Sequence, residues 1–557
     1  MFLTNNLSAN VFNRFLRMPK NKFLESTQTI KKMARRIFLA LSMSWFALFA
    51  SASNYLTFTA EEDNSSFCID NYGSNNPNVE YSLDDGETWT LLEDDFMGNN
   101  KVMLTNKGDK ALLRGNNPDG FSKYEGQYTH FKMEGKIAAS GSVMSLIDGI
   151  GESKTIPSGF CFYNLFYYCP SLTQAPELPA TKLATYCYSK MFSYCENLTQ
   201  APDLPAMELA DSCYYQMFSH CGNLAKAPEL PATELAESCY EFMFYMCSLL
   251  TQAPELPATK LAKSCYGNMF NWCDKLTQAP RLPATELAER CYLGMFFKCE
   301  SLTQVPELPA TELAENCYDG MFGNCIKLTK APELPATKLA KCCYETMFDN
   351  CTSLIQAPKL PATELDKYCY ERMFHGCTSL TQAPELPATE LADNCYYGMF
   401  EDCTSLTQAP ELPATELTDY CYYMMFYKCE KLQKIKISFT EWTYETYSWV
   451  YQVAPTGTFY CPKGLPLEYG EGRIPEGWNV EYIDDGTDVA EHVSDASFKA
   501  WGADGKITYI GASLPVEIYD LSGRLVKKVK EESQSVVMPQ HGTYVVKTGT
   551  VSLKVEL

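Results

Sequence analysis

Between Cys161 and Cys429 the apolar positions of this 557-residue chain repeat with a strict period of 26 residues. One copy reads LTKAPELPATKLAKCCYETMFDNC, Leu328 to Cys351. The opening of each copy, as in Leu302-Thr303-Gln304-Val305, suits a short strand, and Pro306 and Pro309 prevent a hydrogen-bonded ladder from continuing past it. After each Leu-Pro-Ala-Thr the apolar residues recur every fourth position, as Leu313, Cys317, Met321 and Cys325, with Tyr318 and Phe322 widening the stripe. That spacing predicts a helix capped by Thr311. One strand and one helix per repeat predict an α/β solenoid over residues 160–437. Strands pack about 4.8 Å apart and helices about 8–10 Å apart, so the predicted stack is curved.

The flanks lack the period. Residues 54–150 alternate short apolar runs with Gly, Asn and Asp, which predicts an all-β domain that also caps the repeats. Within it SLDDGETW, Ser82 to Trp89, fits a hairpin in which Asp84 and Gly86 shape the turn and Trp89 packs beneath. Residues 438–482, with Trp442, Trp449 and Trp478, read as a C-terminal cap; an exposed aromatic cluster there would suit a sugar. An acidic linker follows at 483–504, then a small β-sandwich at 505–557. At the other end, Lys31 to Arg36, an apolar run from Ile37 to Ala50 and the small residues Ala50, Ser51 and Ala52 form a signal peptide within a 1–52 prefix, with translation from Met33 the simpler start. The apolar run is too short to span a bilayer as a mature helix, so no membrane insertion of the mature chain is expected.

Composition narrows the chemistry. The formal charge of -22 repels phosphate backbones and argues against nucleic acid as a partner. Two cysteine columns, including Cys187 and Cys195, Cys213 and Cys221, and Cys317 and Cys325, hold 22 of the 25 cysteines. Residues eight apart on a helix lie about 12 Å apart along its axis, whereas a disulfide needs Cα atoms within about 7 Å. A bridge within each pair is therefore excluded on a helical reading, and bridges between neighbouring repeats stay open. With five histidines in the chain, no set of metal ligands converges in the sequence, so no metal or cofactor is expected. Identical thiols beside Met and Phe read as a structural core ladder rather than as nucleophiles.

The pattern MFxxCxxL, then PELPATELA and CYxxMFxxC, resembles the BspA-like leucine-rich repeats of bacterial surface proteins, abundant in Bacteroidota; the period here is longer, with LPAT inserted. The resemblance implies a leucine-rich-repeat solenoid in a secreted or surface protein that binds host or neighbouring-cell protein or glycan, in the manner of an adhesin. It carries no fixed ligand-binding motif. At the C-terminus LPVEIYDLSGRLVKK, Leu514 to Lys528, resembles the sorting domain of the Bacteroidota type IX secretion pathway. Together these imply a secreted or outer-surface location on a Gram-negative bacterium.

Within the repeats, Thr173, Thr199, Thr251, Thr277 and their equivalents form a monotonous polar ladder, which argues against a pocket built for one small substrate and against catalysis. Variation concentrates just before the second cysteine, with aromatic residues towards the N-terminal copies. The candidate binding surface is the helical edge around Tyr194, Tyr245, Trp272 and Phe297. Two alternatives are glycan binding or processing by the N-terminal β-domain, and a structural spacer.

Overall fold

The computed structural model describes residues 54–483, apart from 74 and 96–99, and the stretches 499–503, 506–510, 516–521, 523–529, 535–538, 542–548 and 551–556. The signal segment expected at 1–52 and residues 484–498 of the linker lie outside the described residues.

Eight strands come first: β1 (Leu56–Ala60), β2 (Ser65–Tyr72), β3 (Glu80–Ser82), β4 (Thr90–Leu91), β5 (Val102–Leu104), β6 (Lys110–Arg114), β7 (Tyr128–Glu134) and β8 (Ile137–Ser140). A single helical turn, α1 (Ser145–Asp148), follows them. The first repeat supplies β9 (Leu172–Gln174), which lies parallel to β8 and completes a sheet ordered β4-β3-β6-β1-β8-β9. β5, β2 and β7 form a second sheet. The Ser82–Trp89 hairpin is a local structural turn: Asp84 accepts from Ser82 Oγ, Thr88 N and Thr88 Oγ1, and Trp89 Nε1 donates to Gly86 O. These bonds engage both carboxylate oxygens and hold the Asp84 pKa down at about 2.

The predicted strand–helix repeat is not what forms. Among the described residues, helix is confined to α1 and a 3-10 turn at Tyr444–Thr446. The segment after LPAT is a chain of tight turns in which every fourth residue has a left-handed backbone, as at Tyr186, Lys190 and Tyr194 (φ 56°, 56° and 64°) and again at Ser212, Gln216 and His220 (φ 53°, 54° and 62°). Alternate amides have alternate destinations. Tyr188, Lys190 and Phe192 donate forward to Cys213, Tyr215 and Met217 of the next repeat at 3.0, 2.8 and 2.9 Å, while Ser189, Met191 and Ser193 donate back three residues to Tyr186, Tyr188 and Lys190.

A helix averages 3.6 residues per turn, so a strict period of four drifts about 40° at each step and would smear the stripe around the cylinder. Chained four-residue turns keep it on one line. The strand part is also reduced, to single parallel bridges such as Gln200 with Lys226 and Gln278 with Gln304, because the prolines remove the next donors.

The period-four line delivers four buried columns. Phenylalanines stack from Phe166 on Phe192 (centroids 5.5 Å, 4° between planes) to Phe400 on Phe426 (5.8 Å, 5°). Tyrosines stack in parallel from Tyr188 on Tyr214 to Tyr396 on Tyr422. Such offset stacks add about 0.5–1.5 kcal/mol per pair beyond area burial. Methionine and leucine columns, Met191 to Met425 and Leu198 to Leu432, are fully buried beside them.

All 25 cysteines are free and buried. The helical argument against bridging Cys317 to Cys325 lapses with the helix, but the two thiols remain separate core rungs. From Cys195 onward, each second-column thiol donates to the Phe carbonyl 29 residues upstream, as Cys195 Sγ to Phe166 O at 3.1 Å and Cys325 Sγ to Phe296 O at 3.2 Å. Burial pushes the thiols of both columns far from ionisation, Cys291 of the first up to about 12 and Cys325 of the second well above its usual range.

Both ends of the stack are closed by continuing its columns. At the N-terminus Phe131 of β7 stacks on Phe166 at 5.5 Å, and its carbonyl accepts from Cys169 Sγ at 2.9 Å. Towards the C-terminus β10 (Glu411–Leu412), β11 (Lys434–Ile437), β12 (Thr458–Cys461) and β13 (Asn479–Tyr482) form a parallel sheet. Trp449 ends the Phe column, 6.1 Å from Phe426. The cap tryptophans do not present a sugar platform. Trp449 and Trp478 are buried, and the indole N–H groups of Trp442, Trp449 and Trp478 donate to Pro466, Arg473 and Ala454 carbonyls.

The C-terminal unit is separate and has its own core. β14 (Lys499–Ala503), β15 (Lys506–Ile510) and β18 (Ser535–Val537) form one sheet; β16 (Val516–Asp520), β17 (Leu525–Val529), β19 (Thr543–Thr548) and β20 (Val551–Glu556) form the other. β14 falls inside the stretch expected as linker because Lys499–Ala503 pair with Lys506–Ile510. Ile507, Val516, Ile518 and Val546 are buried in the shared core.

Two stability outcomes follow from the columns. Cys325→Ala removes one rung and its bond and is expected to cost about 1–2 kcal/mol in urea unfolding, while thiol-alkylating reagents should leave the native columns largely unlabelled. Gly320 has φ +59° and a Cβ there would meet only Thr346 Oγ1 at 3.5 Å. Gly320→Ala therefore tests backbone strain alone, with an expected loss of about 1 kcal/mol.

Candidate binding surface

The column just before the second cysteine is a left-handed one, and its side chains are partly exposed. Tyr194, His220, Met246, Trp272 and Lys298 (φ 64°, 62°, 59°, 62° and 58°) therefore lie side by side on consecutive repeats, on a turn face rather than the predicted helical edge. Tyr194 stacks on His220 at 4.1 Å with 15° between the rings, and Tyr245 meets the same His edge-on at 5.3 Å. The Lys298 ammonium sits 3.8 Å from the centroid of the Trp272 ring.

These residues line a shallow cleft of about 600 Å³, from Tyr194 through His220 and Met246 to Trp272, with Glu196 and Asp274 at its rim. Leu249 forms part of its floor and is 43% exposed. A second cleft of about 440 Å³ joins Tyr194 and Tyr245 to Tyr128 and Tyr167. The structure thus brings three of the four predicted residues into one aromatic band. Phe297 does not line either cleft; its ring covers Gly323, where an added Cβ would lie 2.8 Å from it.

The opposite side of each repeat is uniform, and part of that uniformity is structural. Thr303 Oγ1 and Thr407 Oγ1 each donate to the Thr carbonyl of the preceding repeat at 3.3 Å. Beside them, Lys260 pairs with Glu286, Lys263 with Glu289 and Lys341 with Glu315, at 3.1, 3.0 and 2.7 Å, fixing the register between repeats. Exposed pairs of this kind contribute little to stability individually, about 0–1 kcal/mol.

Comparison with known proteins agrees with this architecture. The BspA type leucine-rich repeat region matches in six copies, over residues 161–291, 263–399 and 345–452, which together span just over half of the chain. The chain belongs to the BspA-type leucine-rich-repeat family. No curated protein sequence matches it.

In this BspA-type array the middle repeats also carry a column of carboxylates, a feature missed in the sequence because each residue occupies a different copy. Asp319, Glu345 and Glu371 occupy one column on consecutive repeats. Burial, then the neighbouring Glu345, raises both Asp319 and Glu371 to about 7. Thr346 Oγ1 donates to Asp319 Oδ1 at 3.0 Å.

Next to them His375 contacts Asp349 through Nδ1 and lies 3.8 Å from Asp402 through Nε2. The hydrogen bond to Asp349 raises the His375 pKa. His375, Glu401 and Asp402 bring ligand-type atoms within 4.8 Å of one another. The Arg372 guanidinium is already on Glu401 at 2.8 Å and the Lys428 ammonium is 3.6 Å from Asp402, so side-chain cations occupy the place a metal ion would take.

These shifts set a pH dependence. Asp319 and Glu371 hold protons in the folded chain that the unfolded chain releases, so their contribution is full below pH about 4 and is lost as pH rises through about 7. His375, also raised, acts in the same direction. Urea stability of the chain is expected to fall from pH 5 to pH 8, and Asp319→Asn with Glu371→Gln should flatten that slope.

Proposed function

We propose that the chain is a non-enzymatic, exported binding protein whose leucine-rich-repeat solenoid acts outside the cell, at the outer surface of a Gram-negative bacterium. BspA-type repeats are consistent with a surface protein-binding role. The partner is a host or neighbouring-cell protein or glycan, held by the aromatic clefts of the turn face. One observation carries this reading: the clefts fall where otherwise near-identical repeats differ, and there the side chains are Tyr194, His220, Met246 and Trp272, backed by Tyr245. Partly exposed aromatic side chains with carboxylates at the rim suit both sugar faces and protein anchors. The C-terminal sandwich, in this reading, is the export signal that its LPVEIYDLSGRLVKK strand pair resembles. Among the described residues no helix is long and apolar enough to cross a membrane.

An array of glycans and extracellular-matrix proteins probed with the full chain is the deciding measurement. Binding that Tyr194→Ala with Trp272→Ala weakens by about tenfold or more is the expected result. Silence across the array, or equal binding by the double variant, would remove the turn face as the binding surface and favour a spacer.

A further inference from the structure

Beside the band just described, the first repeats enclose a third cleft with a different character. Its walls are Phe160, Tyr163, Tyr186 and Tyr215, its volume is about 450 Å³, and Glu125 and Glu241 stand at its edge. Phe160 and Tyr186 are stacked at 4.7 Å, and Phe160 meets Tyr163 edge-on at 5.6 Å, so the rings brace one another. Tyr163 is almost fully buried and turns its hydroxyl to Glu125 Oε1 at 3.3 Å.

The chain itself shows what this cleft accepts. The Lys190 ammonium lies 5.8 Å from the centroid of Tyr163 and 6.0 Å from that of Tyr215, at the outer range of a cation–π contact. Lys190 is held there by its left-handed backbone, φ 56°. Lys190 is the one basic side chain lining the cleft, beside the two acidic side chains Glu125 and Glu241. Glu241 is half-buried over Gly267, whose added Cβ would lie 3.4 Å from Glu241 Cγ and 3.5 Å from its Oε1, and burial raises its pKa.

We propose that this cleft is a binding site for an organic ammonium group, which enters the aromatic box by displacing the Lys190 side chain. Aromatic faces attract a weakly hydrated cation, and the carboxylates at the edge supply long-range attraction that a neutral molecule would not feel. Lys190 is then a built-in competitor: its ammonium occupies the box at low affinity because it remains near the centroid limit of both rings. Lys190 also lines the cleft that joins Tyr194 and Tyr245 to Tyr128, whereas Tyr215 and Glu241 line this one alone, so their variants separate the two sites.

Saturation-transfer NMR on the full chain, with tetramethylammonium chloride at low ionic strength, tests it. Transfer to tetramethylammonium but not to neutral tert-butanol is expected. Lys190→Met should tighten binding several-fold, and Glu241→Gln and Tyr215→Leu should each weaken it at least threefold. Glu241→Gln is near-isosteric and decides the matter if Tyr215→Leu does not fold. Glucosamine, Nα-acetyl-lysine amide and phosphocholine, added in turn, should include at least one that displaces the probe, and the strongest names the source of the ammonium. No transfer to the native chain or Lys190→Met, no tightening in Lys190→Met, no weakening in Glu241→Gln, or displacement by none of the three would overturn the proposal.

Discussion

The structure depends on where each repeat sends its backbone amides. In the turn chain every second N–H leaves its own repeat for a carbonyl of the next, as Tyr188 does to Cys213. A single repeat would leave those donors unpaired in a buried setting, at a cost comparable to a lost hydrogen bond for each. The repeat is therefore stable only as part of a stack, and the stack must be closed at both ends. That is why β8 pairs with β9 and why Phe131 and Trp449 stand in for phenylalanines that the sequence does not repeat. Caps and repeats share one hydrophobic core as a consequence.

The same geometry separates structure from chemistry. Residues facing inward must match their neighbours one repeat away, which holds the Phe, Tyr, Met and Cys columns constant. Cysteine suits its column because it is small and apolar yet can donate weakly to a carbonyl, as Cys195 does to Phe166. The left-handed column before the second cysteine is partly exposed and need only tolerate positive φ, so it accepts Tyr194, Trp272, Lys298 or Gly376 alike. Strain of about 1 kcal/mol at a non-glycine left-handed residue is offset by the bonds and stacks on either side of it. The Tyr194–Trp272 aromatic column could thus arise without altering the core.

Much of this was legible. The period, the core columns and the variable column follow from aligning the chain with itself, and the family from the resemblance its MFxxCxxL and PELPATELA motifs carry. The helix was misread because Leu313, Cys317, Met321 and Cys325 satisfy an i, i+4 test, although a strict four-residue period drifts about 40° per step off one helical face. Whether the cap tryptophans were exposed was open, because exposure is not a property of sequence. Trp449 and Trp478 are drawn inside by the ends of the aromatic columns.

The sequence by itself determined that the chain is a stack of like units with a thiol and aromatic interior, since periodic apolar positions can be satisfied only by neighbours of the same kind. The tertiary structure decided how those units are wound and which outward residues meet. Phe160, Tyr186, Lys190, Tyr215 and Glu241 come from four repeats and adjoin only because each repeat bonds to the next with a constant offset. Contacts of that kind depend on register between repeats, which hydrogen-bond geometry sets and no single copy of the sequence contains.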